Sequence, residues 1–210
     1  MAKKRRDYDN DFPSVTQCLD VLRKIGLEIW YKQNTPEFIA EESRRGKEIG
    51  TTLHEAIQAH IEETEVKVVT SYPDEVMTVL NSFMLFKKEH PEIKLHKAEI
   101  KMTSPTLKCN GTLDCIGEKG GLLVVDWKSG KAKEKEKPPI YDEYVDQVSA
   151  YVNIYNEVNA CNIDRALIVA MAKDKVAYDI KEINADEIKA SFENVFLPSL
   201  KIWYHKNRRR

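Results

Sequence analysis

Apolar positions along the chain fall into alternating blocks of helical spacing and short continuous runs. Pro13-Ser14-Val15-Thr16-Gln17 carries a helix-start signal, with Ser14 as N-cap and Gln17 three residues on to close a capping box. Helical spacing is sustained over 36–63 and again over 73–90, where it stops near Pro91. Gly46 and Gly50 lie inside the first of these stretches. Glycine in a helix interior costs ~1 kcal/mol against alanine, so the pair suggests that something approaches the helix closely. Residues 93–102 read as a strand, 142–159 as a helix, 166–172 as a short apolar strand, 176–183 as its partner and 186–206 as a last helix. The order is helices, three strands, helix, two strands, helix. It predicts an α/β sandwich with a mixed central sheet.

The most informative block is 111–131, GTLDCIGEKGGLLVVDWKSGK. Leu122 to Val125 is apolar, and Gly120-Gly121 marks a reversal, so the block folds as a hairpin. Folding it about Gly120 sets Asp114 opposite Asp126, within one residue. Directly opposed side chains have Cβ atoms ~5 Å apart, and like charges there repel. Two facing carboxylates call for a cation between them. Side chains alternate along a strand, so Lys128 shares a face with Asp126 while Trp127 points away. A carboxylate pair able to hold a metal, with an ammonium beside it, is equipment for hydrolysing a phosphodiester. Residues 130–140 (GKAKEKEKPPI) are charged, low in complexity and proline-ended, and predict a mobile surface loop next to this site.

Charge and composition narrow the picture modestly. The 210 residues are 42% hydrophobic and 32% charged with a net charge of −1, ordinary values that provide no global field for nucleic acid. Basic residues gather instead at the ends: Lys3, Lys4, Arg5 and Arg6 in a flexible segment 1–12, and Lys206, Arg208, Arg209 and Arg210 around a tail 207–210. Either end is a solvated tail or a phosphate contact. A single folded domain is expected over 13–206, with a helical region 13–92 and a core 93–206. No apolar run approaches the ~18 residues of a membrane helix, and the N-terminus lacks the apolar stretch of a secretory signal. Cys18, Cys109, Cys115 and Cys161 form no CxxC pair, which predicts free, buried thiols in a reducing compartment. A bacterial or phage-infected cytoplasm fits, and a mitochondrial matrix is the alternative. Trp30, Tyr31, Phe83 and Phe86 are expected in the core.

Five motifs occur in order: Gly50-x-x-x-His54 on a helix, Glu99 on a strand, Gly111-x-x-Asp114, Asp126-x-Lys128, and Gln147-x-x-x-Tyr151 on a helix. Each alone is weak; Glu92-Ile-Lys94 and Glu187-Ile-Lys189 show how cheaply an acid two before a lysine arises. Together, over residues 13–155, they resemble the PD-(D/E)xK nuclease superfamily and specifically its RecB-like branch. Pro13-Ser14-Val15-Thr16 and Arg45-Gly46 are similar to compact phage exonucleases and the mitochondrial genome maintenance exonuclease. The resemblance implies a three-layer restriction-endonuclease-like core with an N-terminal helical region. It also implies an exonuclease preferring single-stranded DNA ends, working in replication, recombination or repair, in phages among other settings. By the same resemblance Asp114, Asp126, the Trp127 backbone carbonyl and His54 would ligate Mg²⁺ or Mn²⁺, and Lys128 would orient the attacking water. Glu99 would support the same face or a second metal, and Gln147 would order the lysine or the phosphate. Ser14, Arg45 and Tyr151 would touch DNA, joined by Arg208 and Arg209 if the tail meets phosphates.

Divalent metal suits this chemistry because it acidifies water and clamps phosphate oxygens. Magnesium takes oxygen ligands, and an imidazole in the set favours manganese. Some relatives carry a four-cysteine iron–sulfur cluster; no cysteine follows Cys161 here, so no cluster is expected. No Walker loop is present, so any helicase or recombination partner would be a separate protein. A nucleic-acid-binding module without turnover, a structure-specific endonuclease and a small-molecule phosphohydrolase are the competing readings. Asp126→Ala or Lys128→Ala should end hydrolysis with little change in melting temperature.

Overall fold

The computed structural model describes residues 11–65, 67–134 and 136–207. The basic residues at 3–6 and at 208–210, Arg208 and Arg209 among them, lie outside that set.

Gly120 and Gly121 both take positive φ, 62° and 143°, which side-chain-bearing residues rarely adopt. They reverse the chain between β2 (Cys109–Glu118) and β3 (Leu122–Gly130). With β1 (Lys94–Ser104), these strands make an antiparallel meander. The chain then leaves the sheet through α5 (Asp142–Asn159) and returns as β4 (Ala166–Ala172), parallel to β3. An antiparallel β5 (Tyr178–Ile183) closes the order β1-β2-β3-β4-β5. Every residue of β4 is buried, as a strand beside a parallel crossover must be when helices cover both faces.

Two helical layers do that covering. On one face α3 (Pro36–Ile61) and α4 (Pro73–Glu89) bury Ile49, Leu53, Phe83 and Phe86 against Val125, Trp127, Leu167 and Val169. On the other face α5 packs with α1 (Val15–Leu19), α6 (Ala185–Ser191) and α7 (Leu197–Asn207) around Leu113, Ile116, Val124 and Ile168. The mixed sheet between helical layers is the expected three-layer α/β core. No helix among the described residues is long and apolar enough to cross a membrane.

The departures from expectation have physical causes. The helix expected over 186–206 is interrupted by a π-helical turn at Phe192–Phe196, just before Pro198. Proline has no N–H to donate and its ring crowds the carbonyl four residues back, so the widened turn accommodates it. A short α2 (Ile25–Gln33) follows α1 and buries none of its residues; Trp30 is half-buried and Tyr31 exposed, whereas Phe83 and Phe86 are in the core as expected. The loop after β3 is tied down at its start. Ala132 is buried, and its N–H and that of Lys133 donate to the Asp174 carboxylate at 2.9 and 2.8 Å. Cys161 is exposed, unlike Cys18, Cys109 and Cys115.

Gly46 and Gly50 also separate. A Cβ at Gly50 would lie 3.9 Å from Ser129 Oγ on β3, while one at Gly46 would meet nothing within 4 Å. Close approach therefore applies at Gly50 at most. Gly46→Ala should raise stability by roughly 0.5–1 kcal/mol, about 1–4 °C in a thermal melt, because it lowers the backbone entropy of the unfolded chain without a clash in the fold.

Candidate active site

The β2–β3 ladder pairs Glu118 with Leu122 through to Cys115 with Val125, and there it stops. One step further the strands part, and the two residues that would come next are Asp114 and Asp126. Asp126 is fully buried and Asp114 nearly so. The Trp127 N–H crosses the gap and donates to Asp114 Oδ2 at 2.8 Å. Val124 donates its N–H toward β4, so its odd-numbered neighbours Val125 and Trp127 address β2. A strand residue presents its N–H and C=O to the same side, so the Trp127 carbonyl faces the gap as well. The Trp127 indole lies on the opposite face, edge-on to Phe83 and Phe86.

Two further elements close the gap. From α3, His54 brings Nδ1 to 3.0 Å from Glu99 Oε1 and 3.6 Å from Asp114 Oδ1. Glu99 achieves this with a left-handed backbone, φ 50°, in the middle of β1. Such a conformation costs a non-glycine residue of order 1–3 kcal/mol and persists where the surroundings impose it. From β3, Lys128 Nζ sits 2.7 Å from Asp126 Oδ2. The same ammonium donates to Gln147 Oε1 at 3.0 Å and lies 5.2 Å from the centre of the Tyr144 ring. Gln147 Nε2 in turn donates to the Tyr151 hydroxyl at 2.8 Å. Tyr151 is buried, and its ring packs so near Gly111 that a Cβ there would lie 3.1 Å from it. The glycine of Gly111-x-x-Asp114 thus makes room for the tyrosine that holds Gln147.

Electrostatics mark the site as short of positive charge. Burial, then the charge of Asp126, pushes the Asp114 carboxyl up to about 7. Lys128 is pulled the other way by burial, but Asp126 and Asp114 outweigh that and hold it above the ordinary lysine value. Burial lowers His54 as well, and the Glu99 hydrogen bond with the Asp114 and Glu99 charges reverses it to a net rise. Neither oxygen of Asp126 accepts a well-aligned hydrogen bond. A buried carboxylate in that state, beside a second carboxyl that resists ionising, fits a divalent cation. His54, Glu99 and Asp114 offer ligand atoms that all lie within 4.8 Å of one another.

Compared with known proteins, the chain matches the PD-(D/E)XK nuclease superfamily over residues 27–195. The chain belongs to that superfamily. No curated protein matches it in sequence. Among solved structures it is similar to an exonuclease candidate from Eubacterium rectale, at 14% identity and TM-score 0.48, covering 100% of this chain and 88% of that one. It is also similar to the alkaline exonuclease LHK-Exo from Laribacter hongkongensis, at 13% identity and TM-score 0.42, covering 94% and 92%.

In this PD-(D/E)XK chain the restriction-endonuclease-like sheet brings His54, Glu99, Asp114, Asp126, Trp127, Lys128 and Gln147 to one place. The remaining sequence candidates sit elsewhere or face inward. Tyr151 is linked to the site through Gln147. Ser14 caps α1, accepting the Gln17 N–H at 3.2 Å, and its hydroxyl lies 2.9 Å from that of Thr16. Arg45 is ion-paired to Glu75 and, at 3.4 Å, to Glu42, with its guanidinium over the Tyr72 ring. Tyr144 was missed by sequence reasoning. Its spacing to Gln147 and Tyr151, three and seven residues, places all three on one face of α5 and could have revealed it.

Proposed function

We propose that this superfamily member is a divalent-metal-dependent DNA nuclease, acting as an exonuclease on single-stranded ends. The observation that carries the reading is the buried Asp126 carboxylate, set beside Asp114, ion-paired to Lys128 at 2.7 Å and without a well-aligned hydrogen bond to either oxygen. Asp114, Asp126, the Trp127 carbonyl and His54 would hold Mg²⁺ or Mn²⁺. When bound, the ion supplies charge neutralisation on the phosphate and acidifies water. Lys128 orients the attacking water and stabilises the negative charge that develops on the phosphate. Gln147 positions Lys128, and Tyr151 with Gly111 positions Gln147. Glu99 fixes the His54 ring and would add a carboxylate should a second ion bind.

End-labelled and closed-circular DNA, incubated with Mg²⁺ or Mn²⁺, test this directly. Labelled linear strands should release nucleotides, single strands faster than duplex, while closed circles persist and excess EDTA stops the reaction. Cleavage in EDTA would remove the metal mechanism. Cleavage of circles would replace exonuclease with endonuclease action.

A further inference from the structure

The site opens into a cleft of about 650 Å³, lined by Lys128 and by residues that no step above uses. One wall is aromatic. Trp30 on α2 lies 5.5 Å from Tyr31 and 6.3 Å from Phe38, ring centre to centre. Tyr31 and Phe38 remain 46% and 48% exposed, as does Tyr141 across the cleft at 52%. A helix is ordinarily held in place by burying an apolar stripe, and α2 has no fully buried residue. Its aromatic residues therefore face the cleft without a core role to explain them.

The same cleft carries Lys173, a lysine only 9% exposed. Burial lowers its pKa, Glu75 and Glu42 oppose that, and Lys131 and Arg45 add to it. Among the described residues no carboxylate stands within ion-pair distance of its ammonium. The two carboxylates that act on it are otherwise engaged, Glu75 by Arg45 at 2.5 Å and Glu42 by Lys131 at 3.0 Å and Arg45 at 3.4 Å. A largely buried lysine with no ion-paired carboxylate would be compensated by an anion entering the cleft.

We propose that this cleft seats unpaired nucleotides, with bases stacked on Trp30, Tyr31 and Phe38 and a backbone phosphate against Lys173. The inference rests on the nuclease reading and names the surface and the residues that would hold the single strand. Aromatic side chains bind nucleic acid by stacking on the faces of bases, and an unpaired base is free to splay onto them where a duplex keeps its faces covered. The adjoining cationic floor matches the strand's phosphates. The cleft thus selects single strands by shape and stacking rather than by sequence.

Binding of fluorescein-labelled oligothymidylate and of a blunt duplex of equal length, followed by anisotropy in EDTA, separates this step from hydrolysis. Tyr31→Ala/Phe38→Ala should weaken oligothymidylate binding about tenfold or more, with a much smaller loss on the duplex. Oligothymidylate should quench tryptophan fluorescence in the wild type, and Trp30→Phe should remove that quenching. Lys173→Gln should reduce the slope of log affinity against log salt by about 0.7. The Trp30→Phe variant keeps the test open if the double variant misfolds. Unchanged oligothymidylate binding in these variants, or equal losses on both substrates, overturns the cleft while wild-type DNA hydrolysis still supports the nuclease reading. A wild type that neither binds nor hydrolyses DNA overturns both.

Discussion

Asp114→Asn should abolish DNA hydrolysis, by a factor of at least about 10³, and should make the metal-free protein more stable at pH 8. Both effects have one cause. The folded state raises this carboxyl from 3.8 to about 7, first through burial and then through Asp126. A raised pKa means that the fold holds the proton more tightly than the unfolded chain does. The stabilisation from that proton is complete below pH 3.8 and is lost as pH rises through about 7. Above that, the ionised carboxylate opposes folding by roughly 2–4 kcal/mol, since each tenfold gain in proton affinity on folding corresponds to about 1.4 kcal/mol. Asparagine has no charge to oppose folding and its oxygen can still accept the Trp127 N–H. The variant's melting temperature should therefore match the wild type near pH 4 and exceed it by roughly 5–10 °C at pH 8. Added Mn²⁺ should raise the wild type's melting temperature at pH 8 and leave the variant's almost unmoved. A variant less stable than wild type at pH 8, with hydrolysis retained, would contradict the charge-deficient site.

Lys128→Met should lower hydrolysis by about 10²–10³ and should also destabilise the fold, by about 3–5 kcal/mol. The second effect departs from the expectation that the catalytic lysine can be removed at little structural cost. That expectation holds only for partly solvated carboxylates. Instead Asp126 is fully buried and the ammonium 2.7 Å away is the only cation bonded to it among the described residues. Removing the lysine strands a buried negative charge. Asp126→Asn/Lys128→Met, which replaces both members with uncharged groups of similar size, should recover most of the lost melting temperature while remaining inactive. Comparison of the two single variants with the double in a thermal melt gives the coupling. A single variant as stable as wild type would show that water or another cation reaches Asp126.

The central hairpin was legible to within one residue: Gly120-Gly121 marks the reversal and brings Asp114 near Asp126, while the exact register, with Glu118 opposite Leu122, is set by a turn over residues 119–121. Burial was legible for β4 because seven apolar residues in a row leave it no solvent face. What could not be read depends on contacts distant in sequence. Nothing local to Glu99 announces a left-handed backbone; neighbouring Gly, Asn or Asp would have. The Asp174 carboxylate that holds the start of the 130–140 loop lies about forty residues beyond it. Trp30 and Tyr31 looked like core because large aromatic residues usually are, and only the placement of α2 reveals that no layer covers them. Tyr151, expected at DNA, also accepts a hydrogen bond from Gln147 on its own helix.

The parting of β2 from β3 beyond Cys115 and Val125 has an engineering consequence. Every second extra residue pair would add two main-chain hydrogen bonds, so selection for thermostability alone would favour zipping the hairpin shut. Zipping would fill the space between the aspartates with backbone. Stabilised variants of this protein should therefore gain their rungs at the far end of the sheet, around β5, and leave the fork as it is.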